Sequence, residues 1–271
     1  MTENSAQLVM LGTGNAAVTK CFNTCFVIKN KENIVLIDAG GGNGILTQLE
    51  KANINLSDIH NMFVTHAHTD HILGVVWIVR MVVQSTQKGK YQGVLNIYSH
   101  EKVISVVRQI CGLTLPKKIV DLIDKVINFV ELKDGDSFML ANMKGVCFDI
   151  QSTKEKQFGF KIQLSDNKTL VCLGDEPYNE INKHYVENAD WLLSEAFCLY
   201  SQKDVFKPYE KHHSTALDAG VMADNLNVKN LVLYHTEDKS LDKRKESYTK
   251  EAAENFKGNV FVPDDLETIL L

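Results

Sequence analysis

Three histidines and an aspartate follow an apolar string in the segment Phe63-Val64-Thr65-His66-Ala67-His68-Thr69-Asp70-His71. Burying these groups as structure is costly unless each finds a partner, whereas all four are natural ligands of zinc and similar cations. His66 and His68 lie two apart on an extended chain, so both can bind one ion. Asp70 and His71 fall where a helix begins and can reach a second. The alternative is a polar loop with surface histidines. It is less favoured, because three of the chain's nine histidines would then fall within six residues by chance.

The composition indicates one folded domain over residues 1–271. Hydrophobic residues make up 44% of the chain, and no Pro- or Gly-rich linker divides it. The net charge is −5 and no Lys/Arg block stands out, so the composition does not indicate binding of a long polyanion such as a nucleic acid. Six cysteines form no Cys-x-x-Cys pair, and the start MTENSAQLVMLGTG does not resemble a signal peptide. We therefore expect a soluble cytoplasmic protein without a membrane segment.

Short strand-like strings recur along the chain, separated by stretches with helical spacing such as Ile72–Gln84 and Lys117–Ile127. The first half carries strands before a helical middle, and the second half repeats strands and then helices. This order favours two sheets packed together with helices outside over a doubly wound parallel sheet.

The histidine segment resembles the His-x-His-x-Asp-His signature of the metallo-β-lactamase superfamily. The resemblance is closest to the ribonuclease Z branch and continues in chain order through Leu11-Gly12-Thr13-Gly14, Ile37-Asp38-Ala39-Gly40, Leu173-Gly174-Asp175, Ser194-Glu195-Ala196, His213-Ser214-Thr215 and Tyr234-His235-Thr236. It implies an α+β fold, the four-layer αββα sandwich of the metallo-β-lactamase type, and a metal-dependent hydrolase.

The resemblance also implies the roles of individual residues. One zinc ion would be held by His66, His68 and Asp175, and a second by Asp70, His71, Asp175 and His235. A hydroxide between the two ions would be the nucleophile. The catalytic residues implied are Asp70, Glu195 and His213, with Glu195 assisting His213 as the general acid. Each residue alone has a simpler explanation: turn chemistry for Asp175, a half-buried histidine at 235, a helix cap for Glu195 and a loop histidine at 213.

Gln151 departs from the family pattern, because it holds the place where the family has a metal-binding histidine. An amide oxygen is a weaker zinc ligand than imidazole, so we expect the His66/His68 site to bind its ion more weakly. Manganese could also occupy it. Ser194 likewise replaces the family's histidine before the glutamate.

The substrate is expected to be small. Bacterial transfer-RNA-processing relatives carry a long arm before the bridging aspartate, but only 24 residues separate Gln151 from Asp175 here. Precursor transfer RNA is therefore an unlikely partner, and a phosphodiesterase acting on a cyclic or short nucleotide is favoured. Two alternatives remain: a carboxylic ester or lactone hydrolase on the same site, and a metal-binding protein whose catalysis is impaired by Gln151.

The predicted helix Ile72–Val83 is apolar nearly all round. Such a helix is buried either in the core or against another subunit. The resemblance favours a homodimer through this helix, with core burial as an equal competitor.

Overall fold

The first strand, β1 (Gln7–Gly12), is buried on both sides: Leu8 and Met10 face one way, Val9 and Leu11 the other. Strands covered on both faces belong to sheets inside a layered fold. The computed structural model describes residues 6–271. Within them the other strands are β2 (Cys25–Asn30), β3 (Asn33–Ile37), β4 (Ile59–Phe63), β5 (Leu95–Ser99), β6 (Ile127–Glu131), β7 (Ser137–Leu140), β8 (Met143–Asp149), β9 (Phe158–Gln163), β10 (Thr169–Cys172), β11 (Trp191–Glu195), β12 (Asn230–Tyr234), β13 (Asn259–Phe261) and β14 (Thr268–Leu270).

These strands form two seven-stranded sheets. The first has the order β14-β1-β2-β3-β4-β5-β6, and the second has the order β13-β12-β11-β10-β9-β8-β7. The run β3-β4-β5-β6 is parallel in the first sheet, and the run β10-β11-β12-β13 is parallel in the second. The remaining neighbours pair antiparallel. Each sheet is therefore mixed, with a parallel half that carries the long crossovers.

Helices cover the outer face of each sheet. In chain order they are α1 (Gly44–Lys51), α2 (Thr69–Gln87), α3 (Glu101–Thr114), α4 (Lys117–Val120), α5 (Ile123–Val126), α6 (Lys183–Val186), α7 (Lys203–Phe206), α8 (Ala216–Asn225) and α9 (Leu241–Ala252). One apolar cluster lies between the first sheet and α1, α2 and α3, and a second lies between the sheets. A third lies between the second sheet and α8 and α9. The predicted four-layer αββα sandwich is confirmed.

Two short helices, α4 and α5, cover most of the predicted helix Lys117–Ile127, with a break at Asp121 and Leu122. The prediction is wrong at its last residue, because Ile127 begins β6. The reason is the string Ile127-Asn128-Phe129-Val130, which pairs in parallel with β5 and so gains a ladder of backbone hydrogen bonds. Propensity alone did not reveal this pairing because the partner strand lies about thirty residues earlier.

The apolar helix α2 is buried mainly within its own chain. Ile72, Val75, Val79 and Val82 are at most 1% exposed and pack against the first sheet. Trp77 on the outer side is only half-buried. Core burial therefore accounts for most of the apolar character of α2, and the homodimer stays a prediction.

The stretch between Gln151 and Asp175 contains β9 and β10, joined by a turn in which the backbone N–H of Leu164 donates to Lys168. All of this stretch is described, and it forms a hairpin with no inserted arm. No helix in residues 6–271 is both long enough and apolar enough to cross a membrane.

Gly74 allows α2 to touch the loop that follows β3. A Cβ atom at this position would lie 1.8 Å from the carbonyl oxygen of Ala39, and the N–H of Gly74 donates to Gly40 at 2.9 Å. Gly74→Ala must displace backbone, so we expect it to lower the free energy of unfolding by about 1–3 kcal/mol. Urea denaturation measures this change.

Gly112 in α3 provides the matched control, because a Cβ there meets nothing within 4 Å. Gly112→Ala should raise the free energy of unfolding by about 0.5–1 kcal/mol through helix propensity. Equal effects of the two substitutions would contradict the close contact at Gly74.

Candidate metal centre

The carboxyl ends of parallel strands in both sheets deliver polar side chains to one edge of the sandwich. Asp38 and His66 follow β3 and β4 of the first sheet. In the second sheet, Asp175 follows β10, Glu195 ends β11 and His235 follows β12. Neighbouring parallel strands end at the same edge, so residues far apart in sequence lie side by side.

Three imidazoles converge on one carboxylate oxygen. The Nε2 atoms of His66, His71 and His235 lie 3.6, 3.5 and 3.5 Å from Oδ2 of Asp175. All four residues are at most 3% exposed. The edges of the two sheets therefore meet at Asp175, which lies between two sets of possible ligands.

The possible ligands form two groups of three, His66 with His68 and Asp175, and Asp70 with His71 and His235. Within each group the candidate ligand atoms all lie within 4.8 Å of one another. Nε2 of His71 and Oδ2 of Asp70 are buried and have no hydrogen-bond partner among residues 6–271. Such orphaned atoms are costly in an apolar interior, and a cation satisfies them. The imidazole and carboxylate donors fit zinc, and the structure brings together every predicted ligand except Gln151.

A second layer of hydrogen bonds orients the ligand histidines. The carboxylate of Asp38 accepts from Nδ1 of His71 at 2.7 Å, and from the backbone N–H and hydroxyl of Thr65 at 2.8 Å each. The Thr65 hydroxyl also lies 2.9 Å from Nδ1 of His66, and the Thr24 hydroxyl lies 3.2 Å from Nδ1 of His235. With Nδ1 occupied in each ring, Nε2 is left for the metal.

Burial and neighbouring charges set the protonation of these groups. Burial lowers the pKa of His66 well below its usual range and that of His235 to about 3, so both are neutral ligands at neutral pH. Burial would lower the pKa of His71 too, but the carboxylates of Asp70 and Asp38 hold it well above its usual value. A cation bound at His71 must therefore displace a proton.

For the carboxylates of Asp70 and Asp175, neighbouring imidazoles outweigh the effect of burial on the pKa. Burial would raise the pKa of Asp70, but the adjacent His71 imidazole holds it below its usual range. Burial acts in the same direction on Asp175, whose pKa is nevertheless held low, chiefly by His66 and also by His71 and His235. Both carboxylates are therefore in the ionised form that binds cations.

Glu195 and His213 lie together beside the metal-binding groups. Oε2 of Glu195 is 3.5 Å from Nδ1 of His213, and Oε1 accepts from the backbone N–H of Ser214 at 2.5 Å. The ring of Phe197 stacks on His213, with centroids 4.8 Å apart and planes 8° apart. Thr215 begins α8 with a capping box, which fixes the loop that carries His213. Sequence reasoning brought out Glu195 and His213, but not the stacking by Phe197.

Phe197 and His213 border a cavity of about 520 Å³. Its wall includes His68, Asp70, Asp175, His213 and His235, as well as two lysines, Lys154 and Lys211. The cavity thus exposes metal-binding groups, a histidine paired with a glutamate, and ammonium groups to the same volume. An anion that binds there meets all three.

Gln151 is not brought to this cavity. It is exposed, its backbone is left-handed with φ of 61°, and it lines a separate cavity together with His212. The amide that does contact the site is Gln157, which is fully buried. Its Nε2 donates to Oδ1 of Asp175, and its Oε1 accepts from the backbone N–H of Asp175 at 2.8 Å. Sequence reasoning missed Gln157, although it directly precedes the Phe158-Gly159-Phe160 string.

The family model described as Anti-Pycsar protein Apyc1 matches residues 6–256. The chain belongs to this family. Among curated proteins, this Apyc1-family chain is similar to ribonuclease Z of Thermococcus sibiricus, with 25% identity over an alignment of 307 residues that covers 98% of this chain and 96% of that protein. Ribonuclease Z of Prochlorococcus marinus (strain AS9601) is 27% identical, over 72% of this chain and 76% of its own.

Solved structures show the same fold for the Apyc1-family chain. The metallo-β-lactamase fold protein YhfI from Bacillus subtilis superposes with a TM-score of 0.79 at 18% identity, covering 98% of this chain and 99% of that one. The short form of human tRNase Z gives 0.73 at 20% identity, covering 97% and 98%. A diphosphatase of the PhnP family gives 0.72 at 16% identity, covering 98% and 97%. The predicted metallo-β-lactamase fold and ribonuclease Z-like branch are confirmed, which places the chain among the hydrolases of this superfamily.

Substitutions of Gln157 and Gln151 test which of these two side-chain amides supports metal binding. Gln157→Ala frees one oxygen and the backbone N–H of Asp175, so we expect zinc affinity to fall about 10- to 100-fold. Gln151→His should leave zinc affinity unchanged, because that side chain is exposed and turned away from the ligands. Competition with a chromophoric chelator measures both affinities, and circular dichroism checks the fold. A rise in affinity for Gln151→His would contradict this placement.

Proposed function

We propose that the protein is a metal-dependent phosphodiesterase that hydrolyses a small phosphodiester such as a cyclic or short nucleotide. The observation that carries this proposal is that His213, which lies 3.5 Å from the buried Glu195, lines the same cavity as members of both ligand groups. Hydrolysis of a carboxylic ester or lactone does not require such a pair. A phosphodiester with a poor leaving group does, because its departing oxygen must gain a proton.

Two divalent cations, held by His66, His68 and Asp175 and by Asp70, His71, Asp175 and His235, would activate a water molecule and neutralise charge on the phosphoryl oxygens. Zinc fits the donors, and manganese is the second candidate. Lys154 and Lys211 on the cavity wall would attract the anionic phosphate.

The protein's own residues would manage the protons. The bond from phosphorus to the leaving oxygen breaks as that oxygen takes a proton from His213, while the oxygen of water forms the new bond to phosphorus and one proton of that water passes to the solvent. Glu195 orients the imidazole through Nδ1 and balances its charge when it carries two protons. Phe197, stacked on the ring, holds its plane. His213 is thus the general acid, and Glu195 positions it.

The comparisons support this choice of chemistry at a coarser level. The curated relatives are named ribonuclease Z, and one solved structure is named a diphosphatase, so both names refer to phosphate compounds. The chain's own family is described as anti-Pycsar, and we propose that phosphodiester hydrolysis is the activity by which it opposes Pycsar. The compact hairpin of β9 and β10 and the 520 Å³ cavity favour a small substrate over precursor transfer RNA.

The alternative of a metal-binding protein with impaired catalysis was motivated by Gln151. That residue lies outside the ligand groups, so the alternative loses its motivation. A screen of the metal-reconstituted protein separates the remaining possibilities. Turnover of bis-(p-nitrophenyl) phosphate and of cyclic nucleotides supports the phosphodiesterase. Turnover of lactones alone would contradict it.

His213→Ala tests the general acid through the leaving group. We expect turnover of a nucleoside 3′,5′-cyclic phosphate to fall about 10²-fold or more, since its alkoxide must be protonated as it leaves. Turnover of bis-(p-nitrophenyl) phosphate should fall far less, because nitrophenolate departs without a proton. Steady-state kinetics on both substrates, at equal metal content, measure the difference.

His184→Ala, which removes an exposed imidazole from α6, is the control and should change neither rate. An equal loss on both substrates for His213→Ala would show that His213 does not protonate the leaving group.

A further inference from the structure

His213 borders a second cavity as well as the metal cavity. This second cavity has a volume of about 260 Å³, and none of the metal-binding residues lines it. We call it the outer cavity; its wall includes Gln151, Thr153, Glu176, Tyr178, Tyr209 and His212. His213 is the one residue that lines both cavities. The proton donor of the proposed reaction therefore lies at the boundary between them.

Two contacts between separate loops form the rest of this boundary. Nζ of Lys154 donates to the backbone oxygen of Lys211 at 3.0 Å and lies 3.3 Å from Oε1 of Glu176. The hydroxyl of Thr153 lies 3.3 Å from Nδ1 of His212. These contacts connect the loop after β8 to the loop before His213, and the outer cavity lies next to them.

The two cavities differ in charge. Lys154 and Lys211 line the metal cavity, which suits an anionic phosphate. Among the described residues that line the outer cavity there is no lysine or arginine. Its only acidic side chain, Glu176, is already paired with Lys154 and accepts a hydrogen bond from Ser152 at 2.8 Å. The outer cavity is therefore suited to an uncharged part of a ligand.

The lining of the outer cavity suits an aromatic ring with polar edges. Tyr178, Tyr209 and His212 supply rings on which a base could stack. Gln151 supplies an amide that both donates and accepts hydrogen bonds. The hydroxyl of Tyr209 donates to Asp218 at 2.8 Å, which fixes the position of its ring. The cavity is smaller than the roughly 300 Å³ of the smallest drug-sized pockets. It therefore suits a single aromatic ring system rather than several linked ones.

The reaction geometry assigns this cavity to the leaving group. In phosphoryl transfer the attacking and leaving oxygens lie on opposite sides of phosphorus. Attack comes from the side of the metal-binding groups, so the leaving oxygen lies at His213 and the rest of its alcohol extends past His213. We propose that the outer cavity binds the nucleoside that carries the leaving oxygen. This inference rests on the proposed phosphodiesterase function and assigns Gln151 and Tyr209 to substrate recognition.

The test uses nucleosides, which lack the phosphate that the metals would bind. The zinc-reconstituted protein is titrated with cytidine, uridine, adenosine and guanosine, and binding is followed by NMR. We expect at least one nucleoside to shift the resonances of residues around the outer cavity. Tyr209→Ala should weaken that binding about tenfold or more through lost stacking, and Tyr209→Phe should preserve it. The matched control is Tyr200→Ala, because Tyr200 is also a partly exposed tyrosine and lines neither cavity.

Kinetics distinguish failure of this inference from failure of the proposed function. Tyr209→Ala should raise KM for a cyclic nucleotide and leave KM for bis-(p-nitrophenyl) phosphate nearly unchanged. If phosphodiesters are hydrolysed but no nucleoside binds, or Tyr209→Ala binds nucleosides as the parent does, the inference is overturned and the function stands. If nucleosides bind in a Tyr209-dependent way but no phosphodiester is hydrolysed, the proposed function fails, and with it the assignment of the cavity to a leaving group.

Discussion

The Oδ2 atom of Asp175 lies within 3.6 Å of imidazole nitrogens of three histidines from two separate segments, and the rest of the structure is arranged to permit this. His66 comes from the first sheet, His71 from the first turn of α2, and Asp175 and His235 from the second sheet. Packing this many polar groups in a dry interior is unfavourable unless cations satisfy them. The apolar cluster between the sheets holds the two edges together, so the stability of the sandwich and the geometry of the centre depend on each other.

The polar edge of the sandwich carries two cavities of different chemistry. Metal-binding groups and two lysines line one cavity, uncharged polar and aromatic side chains line most of the other, and His213 lines both. In the proposed reaction, this division would let one small molecule present its phosphate to the cations and its uncharged portion to the outer cavity. Glu195 and Phe197 lie against the imidazole at that boundary, so His213 would deliver a proton where the two parts of the substrate join.

Adjacency in sequence decided what could be predicted. The ligands of segment His66–His71 share one strand end, and the order of strand-like and helical strings is visible in the chain, so the layers and these ligands were predictable. Asp175 and His235 followed from the resemblance to the superfamily. Gln157 was missed because its contact with Asp175 spans 18 residues and depends on the hairpin between them. Gln151 was assigned from the resemblance, as the residue in the place of the family's histidine, but it has a left-handed backbone and lines a cavity apart from the ligands.

Metal content measures the central claim most directly. After reconstitution with excess zinc and gel filtration, elemental analysis should find about two equivalents per chain, since each ligand group forms one site. Asp175→Ala should lower the content of both sites together, because this carboxylate lies between them, whereas replacing the exposed Asp166 by alanine should not change it. Two equivalents retained by Asp175→Ala, or none bound by the parent protein, would contradict the account.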